Sequence, residues 1–191
     1  MLALSFLATF LLFTLVVLIP RRASAHCDTE DGPAVSDGCK ALQTGNVNYA
    51  LKWILPAGES ELRPIFAKAI KVRALGPDAA EVADRYFLEN LVRIHRAGEG
   101  APYDGIKPTG TVLTPEVEAA DEAMESGELK PLMALIPAKK HEELRRRFEK
   151  ARVLKQFDVD DVAAGRAYIE AYVSFYKYAE GEEHDHHHHH H

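Results

Sequence analysis

GPAVSDGCKALQTGNV at residues 32–47 and TPEVEAADEAMESGEL at residues 114–129 read as one segment written twice. Each places a proline, Pro33 or Pro115, at the start of a helix, where the first-turn amide has no intrahelical acceptor to lose. Each closes on a glycine, Gly45 or Gly127, which takes the left-handed conformation that ends a helix without steric cost. Thr114 is placed to cap the second copy through its hydroxyl. The register set by these segments aligns Ile54 with Ile136, Glu61-Leu62-Arg63 with Glu143-Leu144-Arg145, Phe66 with Phe148, and Lys68-Ala69 with Lys150-Ala151. After a one-residue deletion it aligns Arg85 with Arg166, Glu89 with Glu170, Val92 with Val173, and Glu99-Gly100 with Glu180-Gly181. A match sustained over that length points to tandem duplication.

The spacing in each half predicts a short helix to Gly45 or Gly127. A second short helix follows, over 47–54 or 129–136, and then a pair of long ones. The long helices are expected over 59–75 and 77–96, and again over 140–156 and 159–179. Val162, Tyr168, Ile169, Tyr172, Val173, Phe175 and Tyr176 form an apolar stripe at helical spacing, as do Val82, Phe87, Leu88, Leu91, Val92 and His95. No stretch alternates like a half-buried strand. The expected fold class is therefore all-α, a helical bundle of two pseudo-symmetric units with about four helices each. Residues 26–100 form the first repeat and 114–181 the second. The Gly- and Pro-rich linker 101–113 between them is the natural rim of a site.

Ahead of the repeats, Leu2 to Pro20 is almost unbroken apolar sequence, followed by Ala23-Ser24-Ala25, the small-x-small pattern of a signal-peptidase site. Residues 1–25 read as a signal peptide whose removal leaves His26 first, in a secreted or periplasmic protein with no stable membrane insertion after cleavage. The run has no basic residue before it and Arg21-Arg22 after it, and its length also suits an uncleaved anchor, which is the alternative localisation. Residues 182–191 end in His186 to His191 and read as a His-rich tail or tag.

The apolar fraction of 47% and charged fraction of 27% are those of a globular chain, which sets disorder aside. The net charge of −6, with no basic stripe, argues against a nucleic-acid partner. The sequence carries no phosphate-binding glycine loop, no His-Glu-x-x-His and no nucleophile elbow. Carboxylate di-iron bundles use Glu-x-x-His on two helices, and the sequences after Glu89 and Glu170 lack that histidine. Arg85 with Glu89 and Arg166 with Glu170, each spaced i, i+4, are expected to be architectural pairs.

Three histidines lie before the tail: His26, His95 and His141. Cleavage would place the α-amine of His26 beside its imidazole, a backbone amide and the Cys27 thiolate, a compact set that suits Cu(II) or Ni(II). His95 lies one turn before Glu99, at a Gly-rich helix end where a ligand can approach. The two cysteines, Cys27 and Cys39, offer a competing use as a disulfide.

The opening His26-Cys27-Asp28-Thr29-Glu30-Asp31-Gly32-Pro33, with Leu51-Lys52-Trp53 and the run from Ala83 to Tyr103, resembles a family of exported bacterial proteins classed as a domain of unknown function. That resemblance implies export and a helical fold. His26-Cys27-Asp28 is also similar to the start of the N-terminal metal hook of nickel superoxide dismutase. The similarity implies ligation by the amine and imidazole of His26 and by Cys27. The hook's second cysteine has no counterpart, because position 31 is Asp31 and Cys39 lies well beyond; its proline is missing too. A single thiolate with His26 and His95 suits copper at least as well as nickel.

The expectation is therefore an exported helical protein holding a Cu or Ni ion with His26, Cys27, His95 and Glu99. It would act on a small oxidant such as superoxide or pass metal to a delivery partner. The alternative is a non-enzymatic helical interaction module stapled by a Cys27–Cys39 disulfide.

Overall fold

The computed structural model describes residues 26–181. The expected leader and the His-rich tail lie outside the described residues. Among these the chain is all-α, with eight helices and no strand: α1 (Pro33–Thr44), α2 (Asn48–Leu51), α3 (Glu59–Arg73), α4 (Pro77–Gly98), α5 (Pro115–Ser126), α6 (Lys130–Leu135), α7 (His141–Leu154) and α8 (Val162–Glu180). No helix among them is long and apolar enough to cross a membrane.

Local chemistry sets the boundaries. Gly45 and Gly127 end α1 and α5 at φ of 70° and 81°. The Thr114 hydroxyl accepts from the amide of Val117 at 3.4 Å, and the Asp161 carboxylate accepts from that of Ala164 at 2.9 Å. Each satisfies an amide that the first turn would otherwise leave unpaired.

The two halves choose the same packing partners. Helix α3 lies against α4, and α7 against α8; α1 packs on α4, and α5 on α8. Leu62, Phe66 and Ala69 are the buried residues of α3, and Leu144, Phe148 and Ala151, in the same register, are those of α7. Short 3-10 turns precede both, at Pro56–Gly58 and Ala138–Lys140. The Arg73 guanidinium donates to the Leu42 carbonyl at 2.6 Å, and the Lys155 ammonium to the Met124 carbonyl at 2.8 Å. In both halves a cation leaving the third helix thus satisfies a carbonyl near the end of the first, where the helix dipole favours positive charge.

The last helices depart from that likeness. Arg85 pairs with Glu89 on the surface and reaches Glu30. Arg166 instead donates to the carbonyls of Ile54 (2.8 Å) and Leu51 (3.3 Å) and to Glu59 (2.5 Å). Carbonyls left over by short α2 give Arg166 acceptors that Arg85 does not meet, so the expected pair with Glu170 gives way to a tie between the halves. Val82, read as part of the α4 stripe, is 69% exposed. The buried line runs through Ala83, Phe87, Leu91 and Ile94 and leaves Val82 on the other side.

The linker is not free. Thr29 and Lys107 form an isolated parallel bridge, in which the Glu30 amide donates to the Lys107 carbonyl (2.9 Å) and the Lys107 amide to that of Asp28 (2.7 Å). Thr109 and Gly110 add hydrogen bonds to Glu30 and Asp31. The segment from Asp28 to Asp31 is thereby fastened to the linker.

Candidate functional site

Cys27 sits in a 3-10 turn, His26–Asp28, and is 1% exposed. Its Sγ lies 3.5 Å from the Tyr176 hydroxyl of α8. Burial pushes the thiol up to about 12, against the pull of the Tyr176 hydrogen bond and with Glu99 and Asp28 adding to the rise. At neutral pH the group is a thiol, and only a cation brought close to it would make it a thiolate.

The last turn of α4 supplies His95, Arg96 and, just past its end, Glu99. His95 Nδ1 lies 2.7 Å from the Trp53 carbonyl oxygen. A carbonyl only accepts, so Nδ1 carries the proton, and in the neutral ring Nε2 bears a lone pair. Burial lowers the His95 pKa, although the Glu99 carboxylate works against it. Nε2 is buried without a hydrogen-bond partner and faces Glu99 Oε2 at 3.7 Å. Burial acts to raise the Glu99 pKa, but His95, Lys177 and Arg96 together hold it below the usual range. Lys177 of α8 binds its Oε1 at 2.9 Å and Arg96 its Oε2 at 3.3 Å.

Arg96 also ties this turn to the N-terminal segment, with Nε 3.3 Å from Asp28 Oδ2. Three of the four residues expected to bind metal, Cys27, His95 and Glu99, thus belong to one buried region between the N-terminal segment, α4 and α8. The His26 backbone adjoins it, and its side chain lies outside the described residues. Among the described residues no group of three or more His, Cys, Asp or Glu side chains is placed to hold a metal ion. Cys27 and Cys39 both carry free thiols. The staple of the alternative reading is not formed, because Cys27 turns onto Tyr176 while Cys39 packs with the small cluster of Val35, Val92 and Ile106.

Residues 31–178 match the model of a family of unknown function, DUF6448. The chain belongs to the DUF6448 family. It matches no curated protein and no solved structure. The DUF6448 match includes His95, Glu99, Tyr176 and Lys177, whereas Cys27 and Asp28 precede its first residue. Helical spacing marks Tyr176 only as one more residue of the α8 apolar stripe, and nothing in the spacing marks Lys177 as a partner of Glu99. Asp28 has nothing nearby in the sequence to announce Arg96, 68 positions on, as its partner.

The same burial acts on Asp28. Burial raises its pKa to about 6 from an ordinary 3.8, against the attraction of Arg96. Between those values the folded state holds a proton that the unfolded chain has released, so this group's contribution to stability falls as pH rises through the window. Asp28→Asn removes that titration. Urea midpoints of the native protein should decline relative to those of the variant as pH climbs from about 4 to about 6. Parallel curves would mean that Asp28 titrates as an ordinary surface carboxylate.

Proposed function

We propose that this DUF6448 protein is exported, cut after Ala25, and binds a copper or nickel ion. The His26 amine and imidazole, the Cys27 sulfur and His95 Nε2 are the ligands, with Glu99 as the outer partner. The observation that supports this most is the buried Nε2 of His95, a lone pair opposite a carboxylate with no proton donor between them. Such a pair is repulsive until a proton or a metal cation comes between, and the Trp53 carbonyl already selects the tautomer a metal needs. The described donors alone do not complete a site; His26 is required. On binding, the ion displaces the Cys27 proton, so affinity rises with pH.

Two uses remain within this reading. A redox enzyme acting on superoxide or another small oxidant keeps a coordination position open, and a carrier fills its shell and releases metal to a partner. The matched packing of the two halves supports a further part of the reading, descent by tandem duplication.

The test is elemental analysis of tag-free protein from the export compartment, after N-terminal sequencing. The expected result is His26 as the first residue and stoichiometric copper or nickel. His26→Ala should abolish binding, and His95→Ala should weaken it by about 100-fold. A chain beginning at Met1, or a metal-free protein that takes up neither ion, would sink the reading and leave an interaction module.

A further inference from the structure

A cleft of about 620 Å³ opens between α1 and α5, backed by Trp53 and Tyr172, whose other neighbours are His95 and Tyr176. That volume is in the usual range for small-molecule sites. Its floor is a fixed aromatic surface. Tyr168 stacks on Tyr172 with centroids 6.1 Å apart, Phe157 adjoins Tyr168 at 5.7 Å, and Trp53 meets Tyr172 edge-on at 6.5 Å.

Two carboxylates are built into the same surface. Asp37 of α1 accepts from Trp53 Nε1 at 2.8 Å, and Asp121 of α5 accepts from the Tyr172 hydroxyl at 2.6 Å. After burial, these two carboxylates are what push the Tyr168 phenol up to about 12, so both act on a hydroxyl of the cleft lining. The lining holds four carboxylates, Asp31, Asp37, Asp121 and Glu125, against three lysines.

Those lysines are already engaged. Lys52 binds Asp37 at 2.8 Å, and Lys155 binds the Met124 carbonyl. Lys40 rests 4.5 Å above the Tyr49 ring and Lys52 lies 5.4 Å from the Phe157 ring. Two of the protein's own ammonium groups therefore use the cleft's rings as cation acceptors. Lys40 makes no ion pair there and is the one a ligand can displace.

We infer that this cleft binds a small organic cation, an amine or quaternary ammonium on a flat apolar body. The ring faces take the apolar body and the cationic head by cation–π attraction, and Asp121, in the same lining, adds a negative charge beside them. A carboxylate or phosphate ligand would find Lys52 and Lys155 committed and Asp121 and Glu125 in the same lining. The inference does not depend on the metal reading.

The chain's single tryptophan, Trp53, lines the cleft and reports occupancy directly. The experiment titrates the purified protein with phenethylamine, benzyltrimethylammonium, phenethyl alcohol, benzoate and cellobiose, following Trp53 fluorescence. Saturable quenching or enhancement is expected with the two cations alone. Asp121→Asn, which still accepts from Tyr172, should weaken it by about tenfold with the helical circular dichroism unchanged, and Lys40→Gln should tighten it. The proposal is overturned if the cations do not saturate, if the alcohol, benzoate or cellobiose bind as well, or if folded Asp121→Asn binds like the native protein.

Discussion

Arg96→Met is expected to cost the fold about 3–5 kcal/mol at neutral pH, the usual penalty for stripping a buried ion pair of one partner. Both side chains of the Arg96–Asp28 pair are almost wholly buried, at 5% and 4% exposure. Methionine keeps most of the stem and removes the charge. Asp28 would be left without the guanidinium that opposes its desolvation, while Glu99 would keep Lys177. In mild acid the loss should shrink, because Asp28 then takes up a proton and no unpaired charge remains. Urea denaturation at both pH values checks this. An equal loss at both would assign the cost to packing of the arginine stem.

Phe87→Ala should cost a similar amount, about 3–5 kcal/mol, by removing a buried ring and leaving a cavity. Phe87 is fully buried, edge-on to Phe66 at 5.3 Å, at the crossing of α1 and α4. The helices meet there because residue 38 is glycine. A Cβ on it would come within 2.8 Å of methyl groups of both Leu88 and Leu91. Backbones already that close have little room to collapse into a void, which places the loss toward the upper end of the range. Phe87→Leu should cost less than half as much. Denaturation should remain a single transition, because Arg166 binds the second half to Leu51, Ile54 and Glu59 of the first. Two transitions would mean that the halves unfold separately.

What the sequence made legible was what is local. Pro33, Pro115, Gly45, Gly127 and Thr114 mark helix ends through their own backbone chemistry, and the structure places the ends there. His95 and Glu99 could be paired on paper because one helical turn joins them. The stretch 47–54 reads as a single helix, yet α2 stops at Leu51, and the turn beyond it carries Trp53 to Asp37. The Cys27–Tyr176 contact spans 149 positions, and no periodicity carries information over that distance. Arg85 and Arg166 show the same limit. Aligned residues in matching helices found different partners because only one of them meets spare carbonyls.

The Cys27–Tyr176 contact also sets a timetable. A chain made from its N-terminal end displays Cys27 long before α8 exists, and the strap of Thr29 to Lys107 cannot close until the linker has been made. Burial of this thiol thus requires the whole length from Cys27 to Tyr176 to be present. Whatever reacts with residue 27, metal or oxidant, has a window that the arrival of the final helix shuts, and later access requires that helix to lift. In the finished protein Cys27 therefore reacts only as often as that helix opens, however abundant the reagent.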